Sequence, residues 1–162
     1  MSRFRRASLP PEVRSGLRLE RGERVLAHAA AGADGVLVAT TGALHLPGGH
    51  RVPWERIDRA RWDAEGLRFV EEGSGEHAFP VAEPGRLPEV VYERVTATIV
   101  AGRHVPLPGA GGAGFRLVAR RPPGGSRIDW RVHLDEGVDP GDPGVRTAAE
   151  RALALIREQT GV

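Results

Sequence analysis

At 162 residues, with 40% hydrophobic and 27% charged side chains, the chain has the balance of a folded globular protein of one domain or two half-sized units. A formal net charge of +2 excludes the strongly charged make-up of a disordered chain, and the absence of cysteine excludes disulfides, thiolate zinc sites and cysteine nucleophiles. All 23 basic residues are arginine, so the pI near 10.2 reflects a group that does not deprotonate rather than a large excess of positive charge.

In chain order, residues 1–18 form a basic arm in which Pro10 and Pro11 start a short helical turn. No apolar run follows Met1–Ala7, and no stretch approaches the roughly 18 apolar residues of a membrane span, so a cytoplasmic protein without a transmembrane segment is expected. Extended segments then come in quick succession, beginning with Arg24–Ala29. Val36–Thr40 and Ala43–Leu46 flank a tight Thr41-Gly42 turn, and Gly48-Gly49 leads into Arg51–Trp54, whose Pro53 favours a sheet edge. Ile57–Trp62 and Leu67–Glu71 bracket Asp63–Gly66, and Glu76–Val81 follows. This region is counted as six short strands, at the spacing of a curled antiparallel sheet or barrel.

The period then changes. Leu87, Val90, Val91 and Val95 fall at helical spacing after Pro84, and from Thr96 β-branched residues hand the chain over to a strand. Phe115, Leu117 and Ala119 alternate with Arg116, Val118 and Arg120. Ile128, Trp130, Val132 and Leu134 do the same with Asp129, Arg131 and His133, which predicts two strands with one buried and one wet face, joined by a Pro122–Ser126 hairpin loop. Asp142 and Pro143 read as N-cap and first position of a final helix whose apolar stripe is Val145, Ala148, Ala149, Ala152, Leu155 and Ile156, with Gly161 ending it. The fold class is therefore α+β. A β-rich unit with a helix spans residues 19–95, and a small antiparallel sheet with a C-terminal helix spans residues 96–162, packed on the first unit.

Leu19-Glu20-Arg21-Gly22-Glu23-Arg24-Val25-Leu26 resembles the opening strand of bacterial pleckstrin-homology-like and GRAM-like domains, where a leucine precedes a Gly-Glu pair. Val38–Leu46, with a threonine before the turn, resembles their second hairpin, and Arg51–Ile57 resembles a later strand. The likeness covers residues 19–95 and implies a curled antiparallel sheet closed by a helix. Gly42 and Ala43 stand where the family's turn usually carries a basic residue, and the count of six strands is one short of the family's seven. The whole chain also resembles uncharacterised proteins of high-GC bacteria.

Catalytic and cofactor motifs are weak. Gly109, Gly111 and Gly114 match G-x-G-x-x-G, but a strand pattern follows where a dinucleotide site needs a helix, so a hairpin loop is expected. The histidines at 28, 45, 50, 77, 104 and 133 show no ligand spacing, and no metal or cofactor is expected. The acidic run Asp135–Asp142 has Arg146 where a calcium loop needs its closing glutamate, and reads as a turn and helix cap. Trp54, Trp62 and Trp130 are expected to pack in or on the sheets.

The sharpest constellation is Arg116, Arg120 and Arg131, which alternation places on the face opposite Phe115, Leu117 and Trp130. They are the candidate anion- or partner-binding residues. The resulting expectation is a non-catalytic binding or regulatory module for a protein partner or an acidic head group. An arginine-mediated nucleic-acid binder and an enzyme of unrecognised type are the alternatives.

Overall fold

The computed structural model describes residues 8–161, so Met1–Ala7 of the expected basic arm lie outside the described residues. Contacts divide the chain into two compact units, one up to Thr96 and one from Ala97 onward. The fold is mixed α+β, with three antiparallel sheets rather than two layers. Among the described residues no helix is long and apolar enough to cross a membrane.

The first unit opens with the short helix α1 (Pro11–Gly16), which has proline at its first position, where the missing N–H costs nothing. Strands β1 (Val25–Ala30), β2 (Val36–Thr40), β3 (Ala43–His45) and β4 (Arg51–Pro53) then pair consecutively in one four-stranded sheet. Pro53 ends β4 at the edge of that sheet, where it interrupts no ladder. A 3₁₀ turn at Trp54–Arg56 leads into the second sheet, β5 (Ile57–Asp63), β6 (Gly66–Glu71) and β7 (Gly75–Pro80), followed by α2 (Leu87–Ala97). Among the described residues seven strands precede α2, one for each extended segment named from the sequence, so the count of six falls one short of them. Glycine-bearing turns separate most of these strands, and the 3₁₀ turn separates β4 from β5.

Leu37, Leu44, Val52, Trp54, Phe69 and Leu87 belong to one buried cluster fed by both sheets and the helix. Trp54 is fully buried, and its indole N–H donates to the Thr40 carbonyl at 2.9 Å, so the largest side chain of the core leaves no polar atom unmet. Gly66 shows why the β5–β6 hairpin needs its glycine. Its φ is +132°, and a Cβ there would stand 2.1 Å from the Phe79 carbonyl oxygen.

The second unit comprises β8 (Ile99–Pro106), β9 (Gly114–Arg120), β10 (Asp129–Leu134) and α3 (Pro143–Thr160), with β9 central. α2 runs to Ala97, so the change to strand comes slightly later than Thr96. Phe115 and Leu117 of β9 pack with Ile156 of α3, and Trp130, Leu134, Ala148 and Ala152 surround them. The Asp142 side chain accepts the Gly144 N–H at 2.8 Å and Gly161 takes φ +69°, so both ends of α3 form as the sequence predicts. Leu155 does not join the apolar stripe and is 54% exposed. At 100° per residue it lies well off the line of Val145, Ala149, Ala152 and Ile156. Gly109 and Gly111 fall in the β8–β9 loop and Gly114 starts β9, so no helix opens at that motif.

Replacing Gly66 by alanine should cost at least about 2 kcal/mol, from the positive φ and the clash together. Gly16→Ala, where a Cβ meets nothing within 4 Å, should be near neutral. Urea unfolding of the two variants checks this.

Candidate functional site

Three groups of polar side chains are built into the sheets, and each turns on one acidic or basic group held out of water. In the first, Glu23 lies in the segment leading into β1, with its side chain 3% exposed. One carboxylate oxygen accepts the Thr40 hydroxyl and lies 3.0 Å from His45 Nε2. The other accepts the Glu20 backbone N–H at 2.8 Å and faces Arg51 Nη2 at 3.4 Å. Thr40 in turn accepts the Ala43 N–H at 3.1 Å, so the carboxylate is wired to the β2–β3 turn. Burial pushes the Glu23 pKa up more than any other single influence. The Thr40, Glu20 and His45 hydrogen bonds and the Arg51 charge together outweigh it and bring the value down to about 2. Gly42 belongs to the same arrangement, since a Cβ there would sit 2.9 Å from Arg51 Nη2. The positive charge absent from the turn itself reaches it from β4.

In the second group, Glu71 ends β6 with its side chain 2% exposed. His50 Nε2 lies 2.8 Å from Oε1 and 2.9 Å from Oε2, and His77 Nε2 of β7 lies 2.9 Å from Oε1. The His77 ring stacks on Phe69, with centroids 4.9 Å apart, which fixes its orientation. Burial raises the Glu71 pKa and the two histidine hydrogen bonds more than reverse that, so it sits below the ordinary carboxylate value. Two imidazoles and a carboxylate form a set able to ligate a metal ion.

The third group lies on the second unit's sheet. Residues directly opposite in an antiparallel pair share a face. The register places His104, Arg116 and His133 in one row across β8, β9 and β10, with Val118 and Arg131 in the next row and Arg120 and Asp129 beyond. Arg116, Arg120 and Arg131 therefore do share the face opposite Phe115, Leu117 and Trp130. That face is not uniformly wet, however. Arg116 is exposed, whereas Arg120 and Arg131 are only 3% and 8% exposed. Arg120 Nη1 donates to the Thr98 hydroxyl at 2.8 Å, so this guanidinium is engaged inside the unit. At the open end, Asp135 accepts the Gly114 N–H at 2.8 Å and lies 2.7 Å from His104 Nε2. The His104 hydrogen bond first, then that of Gly114, hold its pKa below the usual aspartate value, with Arg116 adding to the effect.

Set against protein-family models, curated proteins and solved structures, the chain matches none of them. The geometry alone therefore singles out the groups. Of the residues expected from sequence, Arg116 is presented to solvent and Arg120 and Arg131 are withdrawn from it. The Glu23 and Glu71 clusters were missed because His45, His50 and His77 are scattered along the chain. A signal for Glu71 was nonetheless present, since it is in phase with Leu67 and Phe69 on the inward face of β6.

Glu23 ionises at about 2 in the folded chain against 4.5 unperturbed. Its stabilisation is therefore complete above the unperturbed value and is lost as the pH falls through the folded one. Glu23→Gln should lower stability near neutral pH by up to about 3 kcal/mol and flatten the acid limb of the stability curve. Urea midpoints near neutrality and at about pH 2 check both.

Proposed function

We propose that the protein is a non-catalytic binding module that takes an acidic head group at Arg116 of its second unit. The observation carrying this reading is the β8–β9–β10 register, which sets His104 and His133 on either side of the exposed Arg116. The Arg116 fork suits a phosphate or carboxylate because it donates to two oxygens at once, and His104 beside it is held in place by Asp135 at 2.7 Å. The local charge favours it as well. Residues 103–135 hold six arginines against two aspartates, although the net charge of the whole chain is only +2. Arg120 and Arg131 act behind the site, by holding the strands and contributing positive potential, rather than by touching the ligand.

For the first unit we propose a pleckstrin-homology-like fold. Support comes from the order of elements, with a four-stranded sheet, a three-stranded sheet and then a helix, and from the meeting of the Gly-Glu pair and the pre-turn threonine through the Glu23–Thr40 hydrogen bond. In this reading the Arg116 row of the second unit is the recognition surface.

Binding to vesicles carrying a phosphorylated anionic lipid, compared with neutral vesicles and with soluble inositol phosphate, tests the reading. Arg116→Glu is expected to weaken association about tenfold or more, whereas Arg14→Glu on α1 should leave it unchanged. Retention by soluble inositol phosphate alone would assign a free ligand instead of a membrane surface. Equal binding by wild type and Arg116→Glu would end the proposal.

A further inference from the structure

We propose that His50, Glu71 and His77 form a binding site for one divalent first-row transition ion of the zinc class. The inference is independent of the Arg116 reading, since all three residues belong to the first unit.

The donor set comes from three separate places in the chain. His50 follows the Gly48-Gly49 turn and precedes β4, Glu71 ends β6, and His77 lies in β7. One nitrogen from each imidazole and one carboxylate oxygen all fall within 4.8 Å of one another. A tetrahedral ion with bonds of about 2.0–2.1 Å spaces its ligand atoms about 3.3 Å apart. The present nitrogen–oxygen contacts of 2.8 to 2.9 Å are therefore shorter than coordination requires, and must open by about half an ångström to admit the ion. The site can supply most of that movement at His50. His77 is held by its stack on Phe69, while His50 is 53% exposed and enters from a diglycine turn. His50 is the ligand freest to swing, and a small rotation of the Glu71 carboxyl opens its 2.9 Å contact with His77.

Electrostatics favours occupancy. The Glu71 carboxylate is almost wholly out of water, and among the described residues its side-chain partners are the two imidazoles. A buried carboxylate is costly without a compensating cation, and hydrogen bonds from imidazoles meet only part of that cost. An entering divalent ion supplies positive charge and binds Nε2 of each ring, the proton there passing to Nδ1 so that the imidazole stays neutral. Two nitrogens and one oxygen suit zinc, cobalt or nickel, whereas magnesium and calcium take all-oxygen shells. Three protein ligands leave a coordination position on the open side, toward His50, for water or for a donor from a partner.

Calorimetric titration of the full chain with zinc chloride tests the site. One ion per chain should bind saturably, and magnesium chloride should give no comparable binding. His50→Ala and His77→Ala should each weaken zinc about tenfold or more, with His104→Ala in the other unit as the unaffected control. His50 is exposed enough for its variant to keep the fold, which circular dichroism confirms in the same samples. Cobalt provides a second readout, since the visible bands of a tetrahedral site should appear in the wild type and be lost in Glu71→Gln. Absence of saturable zinc binding overturns the proposal, and so does binding that survives both histidine substitutions undiminished.

Discussion

A carboxylate removed from water has to be answered by donors or cations close by, and in this chain that requirement decides where the strands of the first unit meet. Glu23 precedes the first strand, yet its oxygens gather Thr40, His45 and Arg51 from three later ones. Each of those contacts fixes a register, because a slip of one residue would turn the partner to the opposite face of its strand. The Thr40 carbonyl beside it then receives the Trp54 indole, so the polar knot and the apolar core are joined at one residue. The hydrophobic cluster supplies most of the driving force for folding, and the buried carboxylate selects one arrangement of it.

The second unit uses a different device for the same end. Its central strand carries Arg120 within hydrogen-bonding distance of Thr98, at the point where β8 begins to pair, and the Arg121 N–H returns to the Thr98 carbonyl at 2.9 Å. A guanidinium can satisfy several acceptors in a fixed fork, so it suits a place where two chain segments must be held together away from solvent. Arg116, four residues earlier on the same face, has no such confinement. Residue type and strand phase are identical for the two arginines, and their surroundings give them different work.

Much of the fold was legible in the sequence. The hairpins were marked by glycine at the turns, β9 and β10 by strict alternation, and α3 by Asp142, Pro143 and Gly161, because these signals are local and each has a single physical cause. What could not be read is what depends on distant pairing. Val118 and Arg120 share the phase of Arg116 but not its exposure, since alternation reports which side of a strand a residue faces and not what covers it. His50, Glu71 and His77 likewise converge only after β6 and β7 pair, with Phe69 opposite His77 in the register. A glutamate in phase with Leu67 and Phe69 was the sole local trace of that cluster.

The placement of tryptophan gives each half of the molecule its own optical reporter. Trp54 and Trp62 lie before the boundary at Thr96, and Trp130 is the only indole after it. With the first two replaced by phenylalanine, fluorescence follows the sheet that carries Arg116 alone. With Trp130 replaced, emission comes from Trp54, sealed inside the first unit's core, and from Trp62, partly buried against it. Whether the halves melt together or in succession thus becomes a matter of comparing two emission curves.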